Sequence, residues 1–271
     1  MSKDVFYSSS YINYDTITPF DRTLLVYLLS YYNFDEENSK NYLHLPLLYL
    51  RMFGREFSEL SNRQQVEFRK KVEAGLESLV KDQILTYRKL STRDDYEICK
   101  ITKYRDDGYF IFPLEDVDKI LQKTGSYMLV NYYLSLLKSR DFKLVVDDKQ
   151  GVVGYMAIKF FVDKFGKSRK TIMNYNKQLE DLGVIYIRHS IAKGVPNAYG
   201  LMKHKKYVDS YFLRYTSHDK SKTVNRKRSL KQKYNATMEN DELDYGAATM
   251  EEIEEYVKKQ EEIFRNKNFC N

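Results

Sequence analysis

Apolar residues recur at helical spacing through the first 124 residues, and runs of β-forming residues separate the helical stretches. Four leucines between positions 24 and 29 predict a buried helix that begins near Asp21, a residue type common at helix starts. The polar residues 91–95 lie between two β-rich runs, which predicts a hairpin. The pattern predicts, in order, helices at 21–33, 45–53 and 61–82, strands at 84–90, 96–103 and 109–113, and a short helix at 114–124.

A similar order of elements recurs between residues 126 and 203. Ser126 and Ser168 are expected to cap helices, and Gly166 and Gly183 are expected to end them. The turn-forming residues 147–151 predict a loop. The pattern predicts helices at 126–138, 155–165 and 168–182, and strands at 184–190 and 198–202. Three helices followed by a hairpin therefore occur twice.

The two ends of the chain lack this apolar rhythm. Residues 1–19 are rich in Tyr, Ser and Thr, and we interpret them as an N-terminal arm. Residues 216–248 contain too few aliphatic side chains to offset the entropy of ordering, which predicts a disordered linker. Apolar residues return at helical spacing over 249–266 and predict a C-terminal amphipathic helix.

Charge is unevenly distributed along the chain, whose formal net charge is +7. Residues 203–233 carry 11 basic and 2 acidic residues, whereas residues 234–271 carry 4 basic and 10 acidic residues. A basic segment after a mildly basic core favours a polyanionic partner, because Lys and Arg that contact phosphates release bound counterions. A solvated linker is the alternative interpretation.

The sequence contains no apolar run long enough to span a bilayer, and its first residues lack the features of a signal peptide. The two cysteines, Cys99 and Cys270, are far apart and form no recognisable framework. We therefore expect a soluble cytoplasmic protein without a membrane partner.

The helix predicted at 168–182 has the division of side chains that a DNA-reading helix needs. Ile172, Tyr175, Leu179 and Leu182 are spaced to pack inward. The outward positions carry basic, amide and hydroxyl groups. In the major groove, Arg pairs with guanine, Asn or Gln pairs with adenine, and hydroxyl groups at a helix start hold phosphates.

These residues resemble a known family. Phe165–Ile172 (Phe-Gly-Lys-Ser-Arg-Lys-Thr-Ile) followed by Gln178–Ile185 (Gln-Leu-Glu-Asp-Leu-Gly-Val-Ile) is similar to the winged helix–turn–helix of bacterial regulators and replication proteins. The chain departs from the family at Asn176, where an apolar residue is usual. The resemblance implies that Gly183 leads into a β-wing with Lys193 near its tip.

The expected fold class is α+β, with two winged helix–turn–helix domains in tandem, a disordered basic linker and a C-terminal helix. The expected division is an N-terminal arm at 1–19, a first winged-helix domain at 20–124, a second at 125–215, a basic and acidic linker at 216–248 and an amphipathic helix at 249–271. The helix at 61–82 imitates the reading helix of the second domain, but Glu67, Glu73 and Glu77 alternate with its basic residues, so a solvated or dimerising face is an alternative.

The candidate DNA-binding residues share a basic, amide or hydroxyl side chain at an expected outward position. They are Lys167, Ser168, Arg169, Lys170, Thr171, Asn174, Lys177, Gln178, Arg188 and Lys193 in the second domain, and Arg63, Gln64, Arg69, Lys70 and Arg93 in the first.

Catalytic interpretations find little support in the sequence. The four histidines and two cysteines have no metal-ligand spacing, and Gly166-Lys167-Ser168 lacks the first glycine of a phosphate-binding loop. Tyrosine nucleophiles of nicking enzymes need a neighbouring histidine metal motif, which is missing. We expect no enzyme activity, no catalytic residue, no metal and no cofactor.

The tandem arrangement resembles plasmid or phage replication initiators of low-GC bacteria. That resemblance implies double-stranded DNA as the partner, bound at repeated origin sites, and recruitment of replication machinery by the C-terminal helix. A homodimer is a further candidate assembly. Two alternatives remain open, namely a transcriptional regulator of a mobile element or phage, and a winged-helix protein–protein adaptor.

Overall fold

The computed structural model describes residues 4–12, 16–31, 41–102, 108–139, 142–146, 149–155, 157–189 and 197–217. The described residues form two units. The first unit falls within Met1–Asp141 and Ser168–Ile185, and the second within Phe142–Lys167 and Tyr186–Asn271. This division differs from the domain boundary at 124/125 expected from the sequence, because it groups residues 125–141 and 168–185 with the first unit.

The described residues form a mixed α/β protein with small antiparallel sheets, which is compatible with the expected α+β class. The helices are α1 (Pro19–Tyr31), α2 (Leu45–Phe53), α3 (Asn62–Lys81), α4 (Leu114–Thr124), α5 (Tyr127–Lys138), α6 (Ile158–Phe165), α7 (Arg169–Asp181) and α8 (Lys205–Ser217). The strands are β1 (Asp4–Ser8), β2 (Asn41–His44), β3 (Leu85–Lys89), β4 (Asp95–Ile101), β5 (Tyr109–Pro113), β6 (Phe142–Val146), β7 (Lys149–Tyr155), β8 (Ile185–Arg188) and β9 (Ala198–Leu201).

Helix α1 is the centre of the first unit, and every residue from Phe20 to Ser30 is buried. It packs against α3, α4, α5 and β1. Gly75 allows α3 to approach α1 closely, since a Cβ atom there would lie 3.0 Å from Asp21 Oδ1 and 3.1 Å from the Leu24 side chain. The buried leucines of α1 explain why the sequence pattern identified this helix so readily.

A three-stranded antiparallel sheet of order β2-β4-β3 accompanies α2 and α3. The β3–β4 hairpin was expected from the sequence, whereas β2 was not. Ser61 caps α3, because its hydroxyl accepts from the Gln64 backbone N–H while the Gln64 side chain accepts from the Ser61 backbone N–H at 3.1 Å. The element order is therefore helix α1, strand β2, helices α2 and α3, and a hairpin.

The interpretation of residues 1–19 as an arm is wrong for residues 4–12. Strand β1 pairs with β5 in an antiparallel two-stranded sheet. Tyr7 of this strand and Tyr11, which follows it, are both buried. The guanidinium of Arg22, itself buried, donates to the Ile12 carbonyl at 3.4 Å and to Asn131 Oδ1 at 3.1 Å. Tyrosine rings are largely apolar, so a stretch that looked polar supplies core residues.

The second unit contains a four-stranded sheet of order β6-β7-β9-β8, which α8 covers. The predicted loop is wrong for residues 149–151, because β7 occupies Lys149–Tyr155, and residues 147–148 lie outside the described residues. The predicted helix start at 155 is also wrong, since α6 begins at Ile158. Gly151 and Gly154 are strand residues that make room for rings. An added Cβ would lie 2.3 Å from the Tyr207 ring at Gly151 and 2.5 Å from the Tyr199 ring at Gly154.

Helix α8 completes the core of the second unit, where Tyr207, Val208 and Phe212 pack with Val153 and Ala198. It extends to Ser217, two residues beyond the expected end of the domain. The rest of the predicted linker and the predicted helix at 249–266 lie outside the described residues. No helix in the described ranges combines the length and the apolar character needed to cross a membrane.

Candidate nucleic-acid interface

Local sequence signals determine where α7 begins. Gly166 follows α6 in the left-handed conformation, with φ of 58°, which favours glycine. Ser168 then caps α7, because its hydroxyl oxygen accepts from the Thr171 backbone N–H at 3.1 Å. The two hydroxyl oxygens of Ser168 and Thr171 are also 2.9 Å apart. Both predicted phosphate-binding hydroxyls therefore already take part in forming the helix start.

The inner side of α7 packs on α5 within the first unit. Ile172 and Leu179 are fully buried, as predicted, and Asn176 is 7% exposed. The Tyr132 hydroxyl donates to Asn176 Oδ1 at 2.6 Å, and the Tyr132 ring lies 5.4 Å from the Tyr175 ring. The polar residue at the position where an apolar one was expected is thus paired with a buried hydroxyl.

The outer side of α7 carries most of the predicted base-reading residues. Lys167, Ser168, Arg169, Lys170, Asn174 and Lys177 are exposed, whereas Thr171 and Gln178 are half-buried. Residues 167–177 contain four basic and no acidic residues. Among the described residues, no carboxylate lies within ion-pair distance of Lys167, Lys170 or Lys177. The positive charge of these three lysines is therefore not neutralised by a described carboxylate.

The basic residues of α3 differ, because several are bound to carboxylates of the same unit. Arg63 pairs with Glu67 at 2.9 Å, and Lys89 of β3 pairs with Glu73 at 2.7 Å. The hydrogen bond to Glu73 is the main cause that raises the pKa of Lys89. A phosphate that approaches Arg63 or Lys89 would meet an ion pair instead of an uncompensated cation.

Arg69 was predicted to contact DNA, but the structure places it at the hairpin. Its side chain is 14% exposed, and its guanidinium binds both carboxylate oxygens of Asp94, one of them at 3.1 Å. It also lies 5.1 Å from the centre of the Phe57 ring. This geometry attaches the β3–β4 turn to α3, which is a structural use of the side chain.

The other predicted residues of the first unit remain on its surface. Lys70 and Arg93 are exposed, and Gln64 is exposed while its side chain completes the helix cap.

Lys71 lies over two aromatic rings, 4.2 Å from the Tyr127 ring centre and 4.6 Å from that of Phe20. Desolvation lowers the pKa of Lys71 there, against the attraction of Asp21.

In the second unit, Arg188 is largely engaged with α8. Its guanidinium lies 4.0 Å from Asp209 and 5.6 Å from the Phe212 ring centre, and the Tyr186 hydroxyl donates to the same aspartate at 2.8 Å. The side chain is 26% exposed. The remaining predicted wing residue, Lys193, lies outside the described residues.

Two features of this region were absent from the sequence interpretation. Met173 of α7 is 51% exposed although it is apolar. Its position in the sequence, between basic residues one helical turn away on each side, could have indicated that it lies on the outer side. The bond between Arg69 and Asp94 joins residues 25 positions apart, so no local pattern could indicate it.

The described ranges also contain ionisable side chains outside the candidate interface. No cluster of three or more His, Cys, Asp or Glu side chains there is placed to hold a metal ion. His44 bonds to Asp95, with Nδ1 and Oδ1 2.5 Å apart, and both the Thr92 hydroxyl and His44 lower the pKa of that carboxyl. Burial raises the pKa of Tyr7 and Tyr27, and that of Tyr127 to about 12.

No model of a known protein family matches the chain, and no curated protein matches its sequence.

Proposed function

We propose that the chain is a sequence-specific double-stranded DNA-binding protein that reads the major groove with α7. The observation that carries the proposal is the two-sided character of this helix. Its inner side is fixed on α5 by Ile172, Leu179 and Asn176, while the outer side presents basic and amide groups over residues 167–177. A reading helix needs both properties, because side chains recognise base edges only when the helix is held at a defined rotation.

Strand order supports two winged helix–turn–helix arrangements in tandem. The sequence helix, strand, two helices, hairpin occurs as α1-β2-α2-α3-β3-β4 and again as α5, β7, α6, α7, β8 and β9. In each case the strand before the helix pair lies beside the second strand of the hairpin, in the orders β2-β4-β3 and β7-β9-β8. Strand β6 is an addition to the second arrangement.

The two candidate reading helices are unequal in this proposal. Lys167 just before α7, and Lys170 and Lys177 on its outer side, have no described carboxylate partner, whereas Arg63 and Arg69 of α3 are bound to Glu67 and Asp94. We assign base recognition to α7. In the first unit, Lys70 and Arg93 contribute phosphate contacts. Each phosphate contact adds affinity and salt dependence but no sequence preference.

Replication initiation is the cellular role that we propose for this DNA binding. It rests on the resemblance to plasmid and phage initiators and on the acidic, amphipathic sequence of residues 249–266. Iterated binding sites beside an AT-rich region would favour initiation. A single inverted repeat that overlaps a promoter would favour the transcriptional regulator instead.

The deciding experiment is selection of bound duplexes from a random pool, followed by footprinting on the enriched sequence. We expect enrichment of one motif with the intact chain, and loss of that enrichment with Arg169→Ala. Lys119→Ala is the matched control, because Lys119 is an exposed basic residue on α4, away from α7 in sequence. Failure of the intact chain to retain any duplex at low salt would refute the proposal and favour the adaptor function.

A further inference from the structure

Met173 is an apolar residue on the outer side of α7 that the packing of the helix does not use. Ile172 and Leu179 are fully buried and Tyr175 is half-buried, so the apolar side of the helix is already occupied. Met173 is 51% exposed. A single exposed methionine is ordinary on a protein surface, so exposure alone carries no argument.

The surroundings of Met173 distinguish it from other exposed apolar residues. Arg169 precedes it by four positions and Lys177 follows it by four, which places all three along one stripe of the helix. Lys170 and Asn174, both exposed, flank the same stripe. When the cations of this stripe bind a polyanion, the apolar side chain between them will also contact that polyanion.

The chemistry of the major groove narrows what Met173 would meet there. The base edges present hydrogen-bond donors and acceptors, and the thymine C5-methyl is the apolar group among them. Methionine is flexible and polarisable, so it can follow a small apolar target without precise shape matching. Phosphates and sugars offer no comparable apolar partner at the groove floor.

We infer that Met173 reads the C5-methyl group of a thymine in the bound site and so contributes specificity for A·T pairs. This inference rests on the proposed function of α7 and adds a specificity-determining residue to it. The contact is an apolar one, distinct from the hydrogen bonds expected of Arg169 and Asn174.

A thermodynamic cycle between protein and DNA tests the inference. After a binding site has been selected, each thymine is replaced in turn by deoxyuridine, which lacks only the C5-methyl. For the intact chain, we expect one replacement to weaken binding about three- to tenfold, the range for one methyl group removed from an apolar contact. Met173→Ala should weaken binding to the thymine site by a similar factor. The affinity of this variant should not change when that thymine is replaced by deoxyuridine.

Two further variants keep the test interpretable. Met173→Gln keeps the length of the side chain and should also lose the thymine preference. Met202→Ala removes a methionine that is 39% exposed in the second unit and should keep the full deoxyuridine penalty. Circular dichroism and thermal unfolding of each variant verify that the helix is retained, as expected since Ala and Gln are good helix formers.

Four outcomes would count against the reasoning. If the intact chain is indifferent to deoxyuridine at every position of its footprint, the inference is wrong. The same follows if Met173→Ala keeps the full penalty, or if it changes the oligomeric state measured by sedimentation while leaving DNA binding unaltered. If no sequence is selected at all, the proposed function itself fails before the cycle begins.

Discussion

The hydrogen bond between Tyr132 and Asn176 should control the rotation of α7, and Tyr132→Phe removes it with little other change. Both side chains are buried, at 0% and 7% exposure, and the oxygens are 2.6 Å apart. Phenylalanine keeps the ring that lies 5.4 Å from Tyr175. The substitution leaves the Asn176 amide oxygen buried without this donor, which costs about 1–3 kcal/mol of unfolding free energy.

Urea unfolding measures this loss, since a shift of the midpoint at constant slope reports a change in stability. Tyr109→Phe is the matched control, because Tyr109 is 67% exposed and its hydroxyl removal should change stability by less than about 0.5 kcal/mol. We also expect the ratio of affinities for selected and random DNA to fall with Tyr132→Phe, because a rotated helix still contacts phosphates but misplaces its base contacts.

The double variant Tyr132→Phe with Asn176→Leu separates stability from positioning. Leu has the branching of Asn, and replacing both polar partners by apolar groups is close to neutral for stability. We expect the double variant to regain most of the stability while the affinity ratio stays low. A Tyr132→Phe variant as stable as Tyr109→Phe, or a double variant with the intact ratio, would refute the reasoning.

Three further predictions address the interface and the second unit. Arg169→Ala should reduce the binding free energy by about 1–3 kcal/mol on the selected site and change it little on random DNA. Lys167→Ala should weaken binding to both DNAs equally and reduce the slope of log affinity against log salt by about one unit. Fluorescence anisotropy across salt concentrations measures both effects. Gly151→Ala should lower the unfolding free energy by about 1–3 kcal/mol, because the new Cβ would lie 2.3 Å from the Tyr207 ring; unchanged thermal unfolding would contradict this. Residues 218–233 carry seven basic residues and one acidic residue, a net charge of +6, and residues 234–271 carry a net charge of −6. A chain that ends at Lys233 should therefore bind DNA more tightly at low salt than the full chain or a chain that ends at Ser217. Equal binding by the two truncated chains would make the basic segment a spacer only.

Local signals explain why several boundaries were predictable. The expected bounds of α2 and α4 agree with the structure, and each helix is followed by a glycine in the left-handed conformation, Gly54 with φ of 66° and Gly125 with φ of 63°. Strand β5, a continuous run of apolar residues before Pro113, also has the expected bounds. In these places backbone preference and the tertiary fold favour the same conformation, so a short stretch of sequence contains enough information.

Strand β1 was missed because its partner is distant in sequence, whereas β6 and β7 pair with each other and were missed for a different reason, the glycines of β7. Strand β1 pairs with β5, more than 100 residues away, and its buried face includes Tyr7. Gly151 suggested a loop, but it admits the ring of Tyr207, and Gly154 likewise admits the ring of Tyr199. A glycine that makes room for a ring cannot be told from a turn glycine without knowing which ring approaches it.

The candidate interface was predictable on α7 and not on α3, for a related reason. The outward positions of α7 follow from helical periodicity alone, and residues 167–177 contain no acidic residue whose pairing had to be known. On α3, the availability of each cation depends on tertiary placement, as with Arg69 and Asp94. Counting charges along the sequence therefore ranks the two helices too evenly.

Ion pairing changes the capacity for DNA binding more than it changes stability. An exposed pair such as Arg63 with Glu67 contributes about 0–1 kcal/mol to folding. For DNA binding, however, the carboxylate acts twice, since it must release the guanidinium to a phosphate and it then repels that phosphate. The lysines of α7 meet neither cost from a described carboxylate. On α3, Arg63 and Arg69 meet both costs, which is why we place recognition on α7.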